Sequence, residues 1–477
     1  MQTLRPQKQQ ALQSIFWEGS KMASLNRKHL DMTEGNIFRL LITFAIPLFV
    51  GDLLQQGYNV VDSMIVGNMV SKQALAAVSA TTNIVNVLVG FFTGISVGAT
   101  VVVSKYFGAK NYQKLNIAVR TIIWITVVIG VSFTVIGLVT TPMMLRLLKT
   151  PDDVLPDASA YLRIYFAGVL GLFLYNMCGG ILRAIGDSRR PMFILGLCSV
   201  LNIGLDLFFI KVFGMGVEGA AYATILAQFI SAGVLFKFLF DVDAFKPLDF
   251  RKPVFDGDTI RQIAVVGVPI GIRKSVIAFS NTIVVSFINR FGSGAMAAWG
   301  IQNRVDSLIS LTIQSMSTAV TTFVAQNVGA GKRDRIRKGS RISMAMTFGL
   351  CSFYIALFVI FRVPIIKLFN QDPDVIEYGC LIFTTMIPPQ FINSITHTCC
   401  GILQGYGESK GPMFIMLFCF VVLRQLYLQL LWPYFQTFRF VMLAFPMAWL
   451  CCCVMTVIYT LRKIKKIEAA GVLSAAK

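Results

Sequence analysis

The chain carries one stretch twice, and this repeat limits its architecture more than any other feature. Residues 180–193 read GILRAIGDSRRPMF and residues 401–414 read GILQGYGESKGPMF, eight identities in fourteen positions at an offset of 221. The same offset relates Ala74-Ala76-Ala77 to Ala295-Ala297-Ala298, Gly108-Ala109 to Gly329-Ala330, and Asp153-Val154 to Asp374-Val375. Near the start of each half it slips by one, pairing Pro47 with Pro269 and Asn59 with Asn281. An offset held across separate stretches marks a tandem duplication. The chain therefore folds as two homologous halves.

The medium follows from composition. Of 477 residues, 55% are hydrophobic and only 14% are charged, where a soluble chain carries roughly a quarter charged residues. Apolar runs of about 20 residues or more, the span of a bilayer core, recur along the length. A β-barrel is excluded, because its strands would alternate in roughly ten-residue segments. The fold class is an all-α polytopic membrane protein. The ten cysteines lie in apolar runs, where a free thiol behaves as a small hydrophobe. They show no zinc spacing with histidine partners. With no metal cluster, nucleophile–base set or phosphate loop visible, neither an enzyme nor a cofactor is expected.

Twelve transmembrane helices are predicted at 37–66, 74–104, 117–141, 159–183, 191–213, 217–240, 260–289, 295–326, 340–361, 377–404, 412–435 and 439–461. They divide the chain into a cytoplasmic leader (1–36), predicted to be disordered, an N-lobe (37–240), a cytoplasmic linker (241–259), a C-lobe (260–461) and a cytoplasmic tail (462–477). More than two thirds of the 43 lysines and arginines fall in the leader, the tail, alternate loops or the turns beside them. Such a bias places both termini in the cytoplasm of a cell's inner membrane. It also accounts for the net charge of +20 without a nucleic-acid partner. Six helices per half make both halves enter the membrane in the same direction. Their pseudo-twofold axis then runs along the membrane normal, and two six-helix bundles face each other across a cleft. A monomer in contact with membrane lipid is expected.

Polar residues inside the helices carry the functional argument, since an intramembrane charge is costly. In the first helix Gln55, Asn59 and Asp62 share one face, and in the fifth Ser199, Asn202 and Asp206 share another. Counted from the helix ends at about 1.5 Å per residue, Asp62, Asp206 and Thr224 of the sixth helix lie at one depth within roughly 3 Å. Two carboxylates, an amide and a hydroxyl at one level suit a hard monovalent cation such as Na⁺. They suit a proton equally, because two close carboxylates in a poor dielectric cannot both ionise easily. The other reading is that Asp62 reaches outer water while Asp206 pairs with a helix end. Asp52 lies about 15 Å along the axis from Asp62 and about 80° around it, too far to touch, and is a second-tier candidate.

The second half lacks this acidic set: Asn202 and Asp206 fall on Leu423 and Tyr427, and Asp62 falls on Val284. Its own polar residues include Arg273, Lys274, Arg304, Asp306, His397 and Arg424. Asp306 divides between a structural charge network and a substrate-facing role. His397 reads first as a hydrogen-bonded packing residue and second as a proton relay. Pro47 and Pro269, at matching places, and Pro388 in the tenth helix are candidate hinges or static kinks.

At these residues the sequence resembles the multidrug and toxic compound extrusion (MATE) family, of the prokaryotic type with an N-lobe aspartate site. The resemblance covers about residues 33–465. It is carried by PLFVGDLLQQGYNVVDSMIVG (47–67), VSKYFGAK (103–110), GILRAIGDSRRPMF (180–193), LNIGLDLFFI (201–210), GVEGAAYATILAQ (216–228) and the repeated motif at 326–332. It implies two six-helix lobes and export of cationic or amphipathic organic compounds, driven by inward Na⁺ or H⁺ flux. It also implies a cation site at Asp62, Asn202, Asp206 and Thr224. The chain departs from members with a Glu in the seventh helix and an Asp in the tenth, offering Arg273, Lys274 and His397 there. An exporter of small amphipathic compounds is the first reading. A flippase of a lipid-linked sugar or lipid is the second, and basic cleft residues would favour it. A membrane enzyme or scaffold is the third.

Overall fold

The computed structural model describes residues 30–147, 150–246 and 248–469. Most of the predicted leader (residues 1–29) and the end of the predicted tail (470–477) lie outside them. The first half comprises α1 (Ile37–Met69), α2 (Lys72–Gly108), α3 (Tyr112–Leu147), α4 (Leu155–Ala167), α5 (Val169–Ala184), α6 (Arg189–Leu207) and α7 (Gly216–Phe240). The second comprises α8 (Gly257–Ile288), α9 (Ser293–Gly329), α10 (Arg333–Ile360), a short α11 (Arg362–Phe369), α12 (Pro373–Met386), α13 (Gln390–Tyr406), α14 (Lys410–Leu417), α15 (Arg424–Leu431) and α16 (Phe438–Ala469). Among the described residues ten spans are long and apolar enough to cross a membrane, and the bent pairs α4–α5 and α12–α13 bring them to twelve.

The duplicated fourteen-residue stretch is a helix stop followed at once by a helix start. Gly186 and Gly407 take left-handed φ values of 89° and 90°, a conformation that glycine adopts without a Cβ penalty. The Asp187 amide then donates to Leu182 O at 3.0 Å, and the Glu408 amide to Leu403 O at 2.9 Å. These are the six-residue closures of a Schellman cap. The same acids open the next helix: Asp187 Oδ1 accepts from the Arg190 amide at 3.1 Å, and Glu408 Oε1 from the Gly411 amide at 3.2 Å. Inside the bundles the repeat recurs in side chains. Ser96 and Thr100 of α2 donate to Asn176 O and Gly180 O, and Ser317 and Thr321 of α9 donate to His397 O and Gly401 O.

Some elements differ from the hydropathy reading. The expected single helix at 159–183 bends by 47° at Gly168, and the expected helix at 377–404 by 48° around Pro388-Pro389. Gly168 and Pro389 are repeat partners, so the bend belongs to the duplicated architecture and not to proline alone. The fifth span ends in a π-helical turn, Phe208–Val212, and the eleventh is interrupted by another, Phe418–Leu423. The last helix runs on through the first part of the expected tail, to Ala469.

Exposed apolar side chains such as Val135 and Val139 on α3, Phe353 and Ile360 on α10, and Leu450 and Val454 on α16 ring the outside. This is the surface a helical membrane protein turns to lipid. Each half has its own core, built around Phe92, Phe166 and Phe173 in the first and Phe287, Phe383 and Phe445 in the second. The bundles are not cleanly separate. The first turns of α1, with Leu41 and Phe44, pack with Met316, Phe323 and Ile402 of the second half. Past Pro47, Gly51 lies instead against Met192 and Leu195 of α6.

The bundles are tied together at the end that carries the basic loops. There Lys105 Nζ donates to Tyr406 O at 3.0 Å, Gln326 to Ala184 O at 2.8 Å, and Asn327 to Met32 O at 3.0 Å. Deeper in, Gly94 and Gly98 of α2 meet Gly267 and Gly271 of α8 backbone to backbone.

Candidate functional site

A cavity of about 620 Å³ lies between the bundles, lined from α1, α2, α4–α9 and α13. The inter-bundle contacts close it toward the basic loops.

The acid cluster is assembled in the wall of the first bundle. α1, α6 and α7 pack side by side and bring the cluster to one level. Asp62 and Thr224 face the cavity, while Asn202 and Asp206 are buried behind them. Asn202 Nδ2 donates to Thr224 Oγ1 at 3.4 Å, and Thr224 Oγ1 to Ala220 O at 3.0 Å. The carboxyls of Asp62 and Asp206 stand within hydrogen-bond reach of each other. Both oxygens of Asp206, Oδ1 of Asp62 and Oδ1 of Asn202 are buried and accept no hydrogen bond from a protein donor. Buried oxygens left so carry a desolvation cost, which a proton or a small cation between them relieves.

Gln55, Tyr58 and Asn59 line the same cavity. Asp52 lines it nearer the basic loops and accepts from Ser315 Oγ of the second bundle at 3.4 Å. Asp306 does not join the site. It accepts from Gln390 Nε2 and, at 3.3 Å, from Ser310, in a network between α9 and α13 outside the cavity lining. His397 lines the cavity, as do Arg273 and Lys274. Arg304 and Arg424 are not cleft residues. Arg304 is exposed with its guanidinium over Phe369. Arg424 is buried and donates to Ser280 at 2.9 Å and Asn281 at 2.8 Å. Pro47 and Pro269 sit inside continuous helices, and Pro388 sits at the α12–α13 break.

Sequence reasoning missed Tyr161, Tyr165 and Arg183, which all face the cavity. Tyr161 and Tyr165 are four apart and stack with centroids 6.4 Å apart, a spacing legible as one helix face. Arg183 lies within the duplicated stretch, three residues before the stop at Gly186. Its repeat partner Gln404, polar within an apolar run and also a lining residue, was the available signal.

Comparison with known proteins follows the same lines. The MatE profile matches twice, at residues 47–208 and 269–427, once in each half. A probable multidrug resistance protein of Bacillus subtilis, YpnP, is 30% identical over 407 residues, 83% of this chain and 89% of that protein. An FAD transporter of Shewanella oneidensis is 24% identical over 423 residues, 86% of this chain and 91% of that one. In fold, the chain matches a multidrug resistance MATE family transporter of the MOP superfamily in an outward-facing conformation. The TM-score is 0.85 at 21% identity, covering 93% of this chain and 99% of that one.

Proposed function

This chain belongs to the MatE family, and from that premise we propose that it is a secondary antiporter exporting small amphipathic or cationic organic compounds in exchange for Na⁺ or H⁺. It is a membrane transporter and not an enzyme, with relatives named for multidrug resistance. The observation that carries the coupling is the set of unpartnered buried oxygens on Asp62, Asn202 and Asp206 at the cavity wall. A cation or proton entering from the cavity neutralises the facing carboxyls. α1 carries Asp62, and its first turns pack on the other bundle, so occupancy of the site bears on how the bundles meet. Rocking of the bundles would break the contacts at the basic end and open the cavity there. The basic loops favour a cytoplasmic membrane with both termini inside, and the protein acts as a monomer among lipids.

The test is efflux of a fluorescent organic cation from proteoliposomes with Na⁺ and pH gradients imposed separately. Wild type is compared with Asp62→Asn and Asp206→Asn at equal reconstitution. Gradient-driven efflux that both variants lose is the expected result, and the effective gradient names the ion. Coupled efflux that survives in both variants refutes the assignment. The flippase reading has one observation in its favour, the basic residues at the cavity's deep end.

A further inference from the structure

The charged lining of the cavity changes sign along its length. Away from the basic loops stands Asp62, with Tyr58 and Tyr161 near it. At the deep end the charged groups are Arg183 of the first bundle, Arg273 and Lys274 of the second, and a single carboxylate, Asp52. Asp52 lies within electrostatic range of Arg183 and Lys274. Among the described residues none of the three cations forms an ion pair within 4.0 Å. Arg273 is buried, 8% exposed, and its Nη1 reaches the thioether of Met416 at 3.0 Å, a weak acceptor. Three cations around one carboxylate leave uncompensated positive charge inside a membrane protein, where intramembrane charge is costly and marks function. A volume of about 620 Å³ is that of a site for a drug-sized ligand.

We propose that the deep end of the cavity is an anion-binding subsite, which holds the carboxylate or phosphate of an amphipathic substrate between Arg183 on one bundle and Arg273 and Lys274 on the other. This deepens the export reading and rests on it. Asp52 lines the same end and competes with a bound anion for the field of Arg183 and Lys274. The aromatic or cationic part of the substrate then lies toward Tyr58, Tyr161 and Asp62. Because the cations come from both bundles, a bound anion draws the bundles together, whereas a simple organic cation is repelled there.

Rhodamine 110 and rhodamine 123 test this, since they share one ring system and differ by a free carboxylate against its methyl ester. Binding of each is measured by fluorescence polarisation to the full chain in phosphatidylcholine nanodiscs. Rhodamine 110 is expected to bind about tenfold tighter or more, the scale of one charge-assisted hydrogen bond. Arg183→Gln and Lys274→Gln are each expected to weaken rhodamine 110 about tenfold without weakening the cationic rhodamine 123. Asp52→Asn is expected to tighten rhodamine 110, a gain that misfolding does not produce. Equal affinities for the two dyes, or an Asp52→Asn variant that weakens both alike, overturns the proposal. Phosphatidylglycerol added to the nanodisc separates the sources. Displacement of rhodamine 110 with the same Lys274 dependence assigns the subsite to a lipid headgroup, and retained binding assigns it to a free solute. Efflux of rhodamine 123 without preference for rhodamine 110 sinks the anion subsite and keeps export. Charge-dependent binding without efflux of either dye keeps the subsite and sinks export.

Discussion

Replacing Gly94 by alanine puts a methyl group where α2 and α8 touch. The added Cβ would stand 2.7 Å from Gly271 Cα and 2.9 Å from Gly267 O. Relaxed contact between carbon atoms needs about 3.5–4.0 Å, so the first distance falls short by roughly 0.8–1.3 Å. Both neighbours are backbone, and no side-chain rotation relieves them. Overpacking of this kind costs about 1–3 kcal/mol. If the contact exists only while the bundles are closed at the basic end, the cost falls on that state alone. The equilibrium between the two states then shifts by about 5- to 150-fold. Gly90→Ala is the control, because its Cβ would meet Lys274 Cβ at 3.5 Å, an ordinary contact. Distances across the basic end are read by single-molecule fluorescence transfer between Gln113 and Asp334, both exposed and on opposite bundles. The labels are placed by amber suppression, since ten native cysteines would compete for thiol dyes. The expected result is a gain of the long-distance population in Gly94→Ala and none in Gly90→Ala. A variant with a lower melting temperature and an unchanged distance distribution would refute the reasoning, leaving the glycine contact as packing common to both states.

Two further outcomes are expected. Thr100→Val and Thr321→Val remove matching bonds, to Gly180 O and Gly401 O at 3.1 Å each. Both are expected to lower stability by about 0.5–1.5 kcal/mol, read as equal shifts in detergent melting temperature; a shift in one variant alone breaks the symmetry argument. Burial raises the Glu408 carboxyl, but the Lys463 ammonium at 2.6 Å and the Gly411 amide outweigh it and hold the group below its ordinary value of 4.5. A carboxyl depressed on folding stabilises above its unfolded value, and the stabilisation is lost as pH falls through the folded one. Melting temperature is therefore expected to drop on acidification below about pH 4.5 more steeply in wild type than in Glu408→Gln, and identical slopes would count against the pair.

By itself the sequence determined the features that depend on short range. The 221-residue offset required two like halves. Apolar run length and residue period gave twelve spans, and i, i+4 and i, i+7 spacing with a fixed rise per residue set Asp62, Asp206 and Thr224 at one level. These are properties of single helices in a bilayer, so no knowledge of neighbours was needed. The tertiary structure decided what those helices face. The bend at Gly168, the crossing of α1 between bundles, and the turning of Arg183, Arg273, Lys274 and His397 into the cavity while Asp306, Arg304 and Arg424 turn away all depend on contacts between residues far apart in the chain. Helical period fixes which residues share a face. It does not fix whether that face meets lipid, a neighbouring helix or the cavity, because that choice is made by packing the whole bundle.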